Sequence, residues 1–179
     1  MNPPPIGEAL EVAWTAFKKD YAAIILATLC AMLLGLIPLV GGGLVMAGMM
    51  RVSLKALRGQ TPEPADGFIG LQAPVDHIVM GLLQILGMLA CCVGVYVSQG
   101  VFFSGTALVL EKGMDWKQAK DVCVARIWPN WVAWTLYTLV VGLVGASGAI
   151  LCGIGVIATA PLTGLALAYA YEKSVAPAL

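Results

Sequence analysis

Charged side chains are scarce in this sequence. Ten Lys and Arg and ten Asp and Glu make up 11% of 179 residues, against about 25% in ordinary soluble domains. They are missing altogether from 21–50, 77–110 and 127–171, uncharged runs of 30, 34 and 45 residues. An ionised side chain is costly at the centre of a bilayer, so runs this long indicate membrane spans and argue against a soluble bundle. A formal net charge of zero argues against nucleic-acid binding, which needs a clustered basic surface. The start, Met1-Asn2-Pro3-Pro4-Pro5 followed by Glu8 and Glu11, lacks the basic residues that open a signal peptide. The first apolar segment is therefore expected to stay in the mature protein.

Reactive groups are equally sparse. His77 is the single histidine, and Cys30, Cys91, Cys92, Cys123 and Cys152 show no zinc-ligand spacing. The cysteines are expected to be packing residues; a bridge from Cys152 to Cys91 or Cys92 is the alternative in an oxidising compartment. No phosphate-binding loop, His-Glu-x-x-His motif or nucleophile elbow occurs. The expectation is a non-enzymatic protein without catalytic residues, metal or cofactor. His77, beside Asp76, reads as an interfacial residue.

What the chain does have is regular punctuation. The uncharged runs are broken at Pro38 and Gly41–Gly43, at Gly94, and at Gly153 and Gly155, and such clusters end helices and turn the chain. Seventeen residues after Gly41, Gly94 and Gly155 stand Arg58, Glu111 and Glu172. Seventeen helical residues rise about 25 Å, close to one crossing. This common register predicts three helical hairpins, with turns on one side and charges on the other. All ten Lys and Arg then fall on one face, which the positive-inside rule assigns to the cytoplasm together with both termini.

The resulting expectation is an all-α integral membrane protein of six short transmembrane helices. Its plan is an interfacial helix at 6–20, hairpin 1 at 21–58, a cytoplasmic loop at 59–75, hairpin 2 at 76–111, an interfacial helix at 114–128 and hairpin 3 at 129–173. Hairpin 1 is the tightest fit, because Arg51 lies only ten residues past Gly41 and falls near mid-membrane or in a shallow hairpin.

Ile6, Ala9, Leu10, Ala13, Trp14 and Phe17 form one apolar helical stripe, and Trp116, Ala119, Cys123 and Ile127 repeat it. Both segments are expected to set the angle of the span that follows, the alternatives being lipid sensing or partner docking. Gly142, Gly145 and Gly148, and Ala160, Gly164 and Ala168, are small-residue rows suited to close helix packing. Ser98, Gln99, Ser104 and Thr106, with Arg51, form a candidate polar seam.

The run Cys91-Cys92-Val93-Gly94-Val95-Tyr96, then Phe102-Phe103 and Leu108 to Gly113, resembles a group of small bacterial multi-pass membrane proteins. So do Trp116 to Trp131 and the ending from Gly153 through Pro161 to Tyr171. Some of that group are similar to the membrane domain of glycerophosphodiester phosphodiesterases. The resemblance covers about residues 85–173, without a catalytic signature or the soluble phosphodiesterase domain, so that activity is not carried over. It implies a bacterial inner membrane and a six-helix fold. The expected role is a structural or accessory subunit in contact with the lipid bilayer and a membrane-protein partner or second copy. A small-solute transporter or channel and a membrane-shaping hairpin protein are the alternatives.

Overall fold

The structure, a computed structural model, describes residues 1–37, 41–87, 91–150 and 155–178. Among them are eight α-helices: α1 (Ile6–Lys19), α2 (Tyr21–Leu33), α3 (Gly41–Leu57), α4 (Pro74–Ile85), α5 (Cys91–Lys112), α6 (Trp116–Arg126), α7 (Trp131–Ser147) and α8 (Val156–Ala170). A nine-residue 3₁₀ helix, Pro64–Gln72, precedes α4, and α8 ends in a π turn, Tyr171–Val175. The proposed turn residues Pro38 and Gly153, and Cys152, lie outside the described residues.

The all-helical expectation holds, with fewer candidate crossings than six. One described stretch, Trp128–Ser147, is by itself long and apolar enough to cross a membrane. Two bent pairs, Ile6–Lys19 with Tyr21–Leu36 and Pro64–Gln72 with Pro74–Ile85, raise the number to three if each is one broken span. For four of the described helices length is the physical reason. Helices α2, α3, α4 and α8 contain 13, 17, 12 and 15 residues. They rise roughly 18–26 Å, short of a hydrocarbon core of about 30 Å.

The helices pair in antiparallel fashion: α2 with α3, α4 with α5 and α7 with α8. Near each turn the backbones touch through glycine. A Cβ on Gly87 would overlap the Gly94 carbonyl, and one on Gly155 would lie 2.5 Å from the Gly148 carbonyl oxygen. Each pair is preceded by a short helix (α1, the 3₁₀ helix, α6), which makes three units of one plan. Helices α3, α5 and α8 touch one another at the centre. Each outer helix packs on its own inner helix and on that of the preceding unit; α2 closes the ring by reaching α8. The short helices follow the same rule, α1 lying on α8, the 3₁₀ helix on α3 and α6 on α5.

The inner helices share a register. Ala47, Gly100 and Pro161 are equivalent by count from Gly41, Gly94 and Gly155, as are Met50, Phe103 and Gly164, and Leu54, Ala107 and Ala168. All nine are buried. Packing in this centre repeats the same register, with one set of small residues and two sets that combine large with small.

Two expectations change. Residues 59–75 are not simply a polar loop. Glu63 and Asp66 form a reciprocal capping box with Pro64 in the first turn, and the 3₁₀ helix that follows wedges between α2 and α3. A Cβ on Gly67 would lie 2.5 Å from the Ala27 carbonyl oxygen, and one on Gly70 2.9 Å from that of Leu44. The glycines that read as loop formers are what lets this segment approach two helices at once. Trp14, in turn, leaves the stripe of α1: it is 50% exposed and stacks on Phe17, while Ala9, Ala13 and Phe17 are buried. In the matching helix α6, Ala119 and Cys123 are buried, and Ile127 follows at its end. Helix α1 meets the next helix at 101°.

Candidate functional site

Three cations stand on one side of α3, because Arg51, Lys55 and Arg58 follow a spacing of four and three residues. Arg58 binds Glu111 through two hydrogen bonds, Nη2 to Oε2 at 2.6 Å and Nη1 to Oε1 at 3.2 Å. Its Nε donates to Glu172 at 2.7 Å. These are the three residues that stand seventeen positions after the break glycines, and they join the ends of the three inner helices. Lys55 donates to Asp66 Oδ2 at 2.7 Å, and the same oxygen accepts from the Glu63 backbone N–H at 2.8 Å. The 3₁₀ helix is thereby pinned to α3.

Arg51 is different. Its Nε lies 3.7 Å from Asp66 and its Nη1 3.8 Å from Glu111, contacts too long for hydrogen bonds. Its side chain is 34% exposed, yet the Nε atom is buried and has no hydrogen-bond partner. Arg51 therefore joins the charged cluster at the end of the bundle and does not stand alone. Beside it a cavity of about 170 Å³ is lined by Arg51, Gln72 and His77 with apolar neighbours. His77 is 1% exposed and its Nδ1 lacks a partner. The expected interfacial histidine is thus a core residue. Asp76 accepts the backbone N–H of Trp116 at 3.0 Å, holding α6.

The candidate polar seam divides. Ser98 donates to the Gln84 backbone carbonyl, and Gln84 Nε2 donates to Thr106 Oγ1 at 3.3 Å and the Phe102 backbone carbonyl at 3.4 Å. Ser104 faces Cys123 Sγ on α6 at 3.4 Å. Gln99 borders a separate hollow beside Gly42 and Gln84. None of these four lines the Arg51 cavity. Gln84 is the residue that sequence reasoning missed; its one signal is an amide within an uncharged run, which it shares with Gln99. Buried amides need partners, and the Gln84 side chain donates across the pair while its backbone carbonyl accepts.

The small rows work on different neighbours. Gly145 and Gly148 face Thr163 and Thr159 of α8, Gly142 faces Tyr96, and Gly164 faces Ser53 of α3. Ala168 is buried and Ala160 half-buried. Thr159 donates to the Gly145 carbonyl at 2.7 Å, and Tyr137 to that of Ala166 at 2.7 Å.

A second charged contact lies on the surface, where Lys173 and Tyr169 both donate to Glu8. These donors, Lys173 foremost, hold the Glu8 carboxyl below the ordinary carboxylate range. Burial pushes the Cys123 thiol up to about 11, which leaves it inert at neutral pH. Comparison with protein-family models, curated proteins and solved structures returns no match for this chain.

Proposed function

We propose that this chain is a multi-pass protein of a bacterial inner membrane, acting as a non-enzymatic structural or accessory subunit. Its three helix pairs insert as hairpins, with the charged end and both termini in the cytoplasm. The observation that carries this reading is α7 and its surroundings. The membrane-length stretch Trp128–Ser147 is only 22% buried over its most apolar window. Trp131, Val132, Leu136 and Leu143 are exposed on it. Leu26, Leu29 and Leu33 are likewise exposed on α2. Surfaces of this kind call for lipid or another apolar helix. The hydroxyls of Ser98 and Thr106, meanwhile, are engaged with Gln84, which favours a packed scaffold over a conduit.

Purification in a mild detergent tests the role. A stoichiometric membrane partner or a defined homo-oligomer is expected, and a stable lone monomer would count against it. Membrane shaping is a second reading, favoured by α2 and α4, which at 13 and 12 residues are too short for a full hydrocarbon core. Liposomes that stay spherical at high protein density would remove it.

A further inference from the structure

We propose that the cavity between α3, the 3₁₀ helix, α4 and the end of α5 binds a small oxyanion, either a carboxylate or a phosphate group. Three donor-bearing side chains converge on it, Arg51, Gln72 and His77, and no acidic side chain lines it. Two of the three carry buried nitrogen atoms without a partner, Arg51 Nε and His77 Nδ1. Buried polar groups in folded proteins nearly always have partners, so two such atoms on residues that line one cavity point to a partner that the described side chains do not supply.

The charges around Arg51 do not fill that role. Asp66 and Glu111 stand 3.7 and 3.8 Å from its guanidinium, and each already accepts shorter bonds, from Lys55 and Arg58 respectively. Arg51 is ion-paired with both carboxylates but hydrogen-bonded to neither, and its planar fork of donors has the geometry that suits carboxylate and phosphate oxygens. His77 can donate from Nδ1 as the appropriate tautomer, and Gln72 from its amide. The volume of about 170 Å³ exceeds the roughly 10–15 Å³ that one water requires and accommodates a group of several heavy atoms. Gln72 and Ala73 precede α4, and Leu110 adjoins Glu111, so the cavity opens at the charged end of the bundle. A free anion or the phosphate of a lipid headgroup could reach it there. The inference stands on the cavity and is independent of the subunit reading.

The test uses the full chain, delipidated in a zwitterionic detergent, with the thermal unfolding midpoint followed at constant ionic strength. Sodium phosphate, sodium acetate and a short-chain phosphatidylglycerol are titrated in separate arms against sodium chloride. A saturable rise with phosphate or acetate identifies a free anion, and a rise with the lipid alone identifies a headgroup. Arg51→Gln should weaken the effective ligand at least about tenfold, the loss expected when a charge-assisted hydrogen bond to an anion is removed. Gln72→Leu, which leaves the ion pairs untouched, should weaken it several-fold and keeps the test open if Arg51→Gln fails to fold. No rise in any arm beyond chloride, or equal rises in wild type and Gln72→Leu, would overturn the proposal.

Discussion

Arg58 holds together residues that are 53 and 114 positions away in the chain. Removing it leaves Glu111 and Glu172 beside one another without their shared cation. Arg58→Ala should therefore lower stability by about 1–2 kcal/mol, above an isolated surface pair because two carboxylates lose one partner. Adding Glu111→Gln should return part of the loss. Unfolding of the detergent-solubilised protein by a graded denaturing detergent measures both. Glu8 offers a pH test at the same scale. A carboxyl whose folded pKa is lowered contributes stability above the ordinary carboxylate range and loses it as pH falls through the lowered value. The grip of α1 on α8 should weaken at acid pH, seen as faster amide exchange in Ile6–Lys19, and Glu8→Gln should make that exchange insensitive to acid. Cys123, at 0% exposure, should resist a maleimide until the protein unfolds.

Among the elements, the 3₁₀ helix departs furthest from its sequence expectation. Pro62, Pro64 and Gly67 are loop formers by composition, yet the capping box and the close glycine approach turn the same residues into a packed wedge. The capping pattern is local and could have been read; the wedge depends on a groove made by α2 and α3. Two glycines of α3 make the distinction measurable. A Cβ at Gly48 would overlap the Gly67 carbonyl oxygen and press on Ala31, whereas one at Gly42 meets nothing within 4 Å. Gly48→Ala should cost about 1–3 kcal/mol by overpacking. Gly42→Ala should be neutral or stabilising by up to about 1 kcal/mol through helix propensity. Equal effects in the same unfolding assay would mean that the 3₁₀ helix does not press on α3.

At the scale of the whole molecule, the ring closes where its first and last units meet. The Met1 carbonyl accepts from Trp134 Nε1 at 3.0 Å and from Asn130 Nδ2 at 3.1 Å, so the segment before α1 is latched to the start of α7. The topology proposed above separates two exposed positions, Gln118 on α6 and Ser147 at the far end of α7. A cysteine replacing Gln118 should react with a membrane-impermeant maleimide only from the cytoplasmic side, and one replacing Ser147 only from the opposite side. Reaction of both from one side would sink the three-hairpin insertion.

The sequence by itself determined the all-helical class, the helix starts at Gly41 and just after Gly155, and the buried stripes of α1 and α6, whereas the break expected at Gly94 falls inside α5 (Cys91–Lys112). Uncharged runs, glycine punctuation and helical periodicity are properties of neighbouring residues, and they act before any tertiary contact exists. It also placed Arg58, Glu111 and Glu172 in one register without revealing that they touch. Only the tertiary structure decided that meeting, the burial of His77, the central place of Gln84 and the vacant donors around Arg51. Each depends on which helix fills which groove once three units close into a ring, and no local spacing encodes that closure.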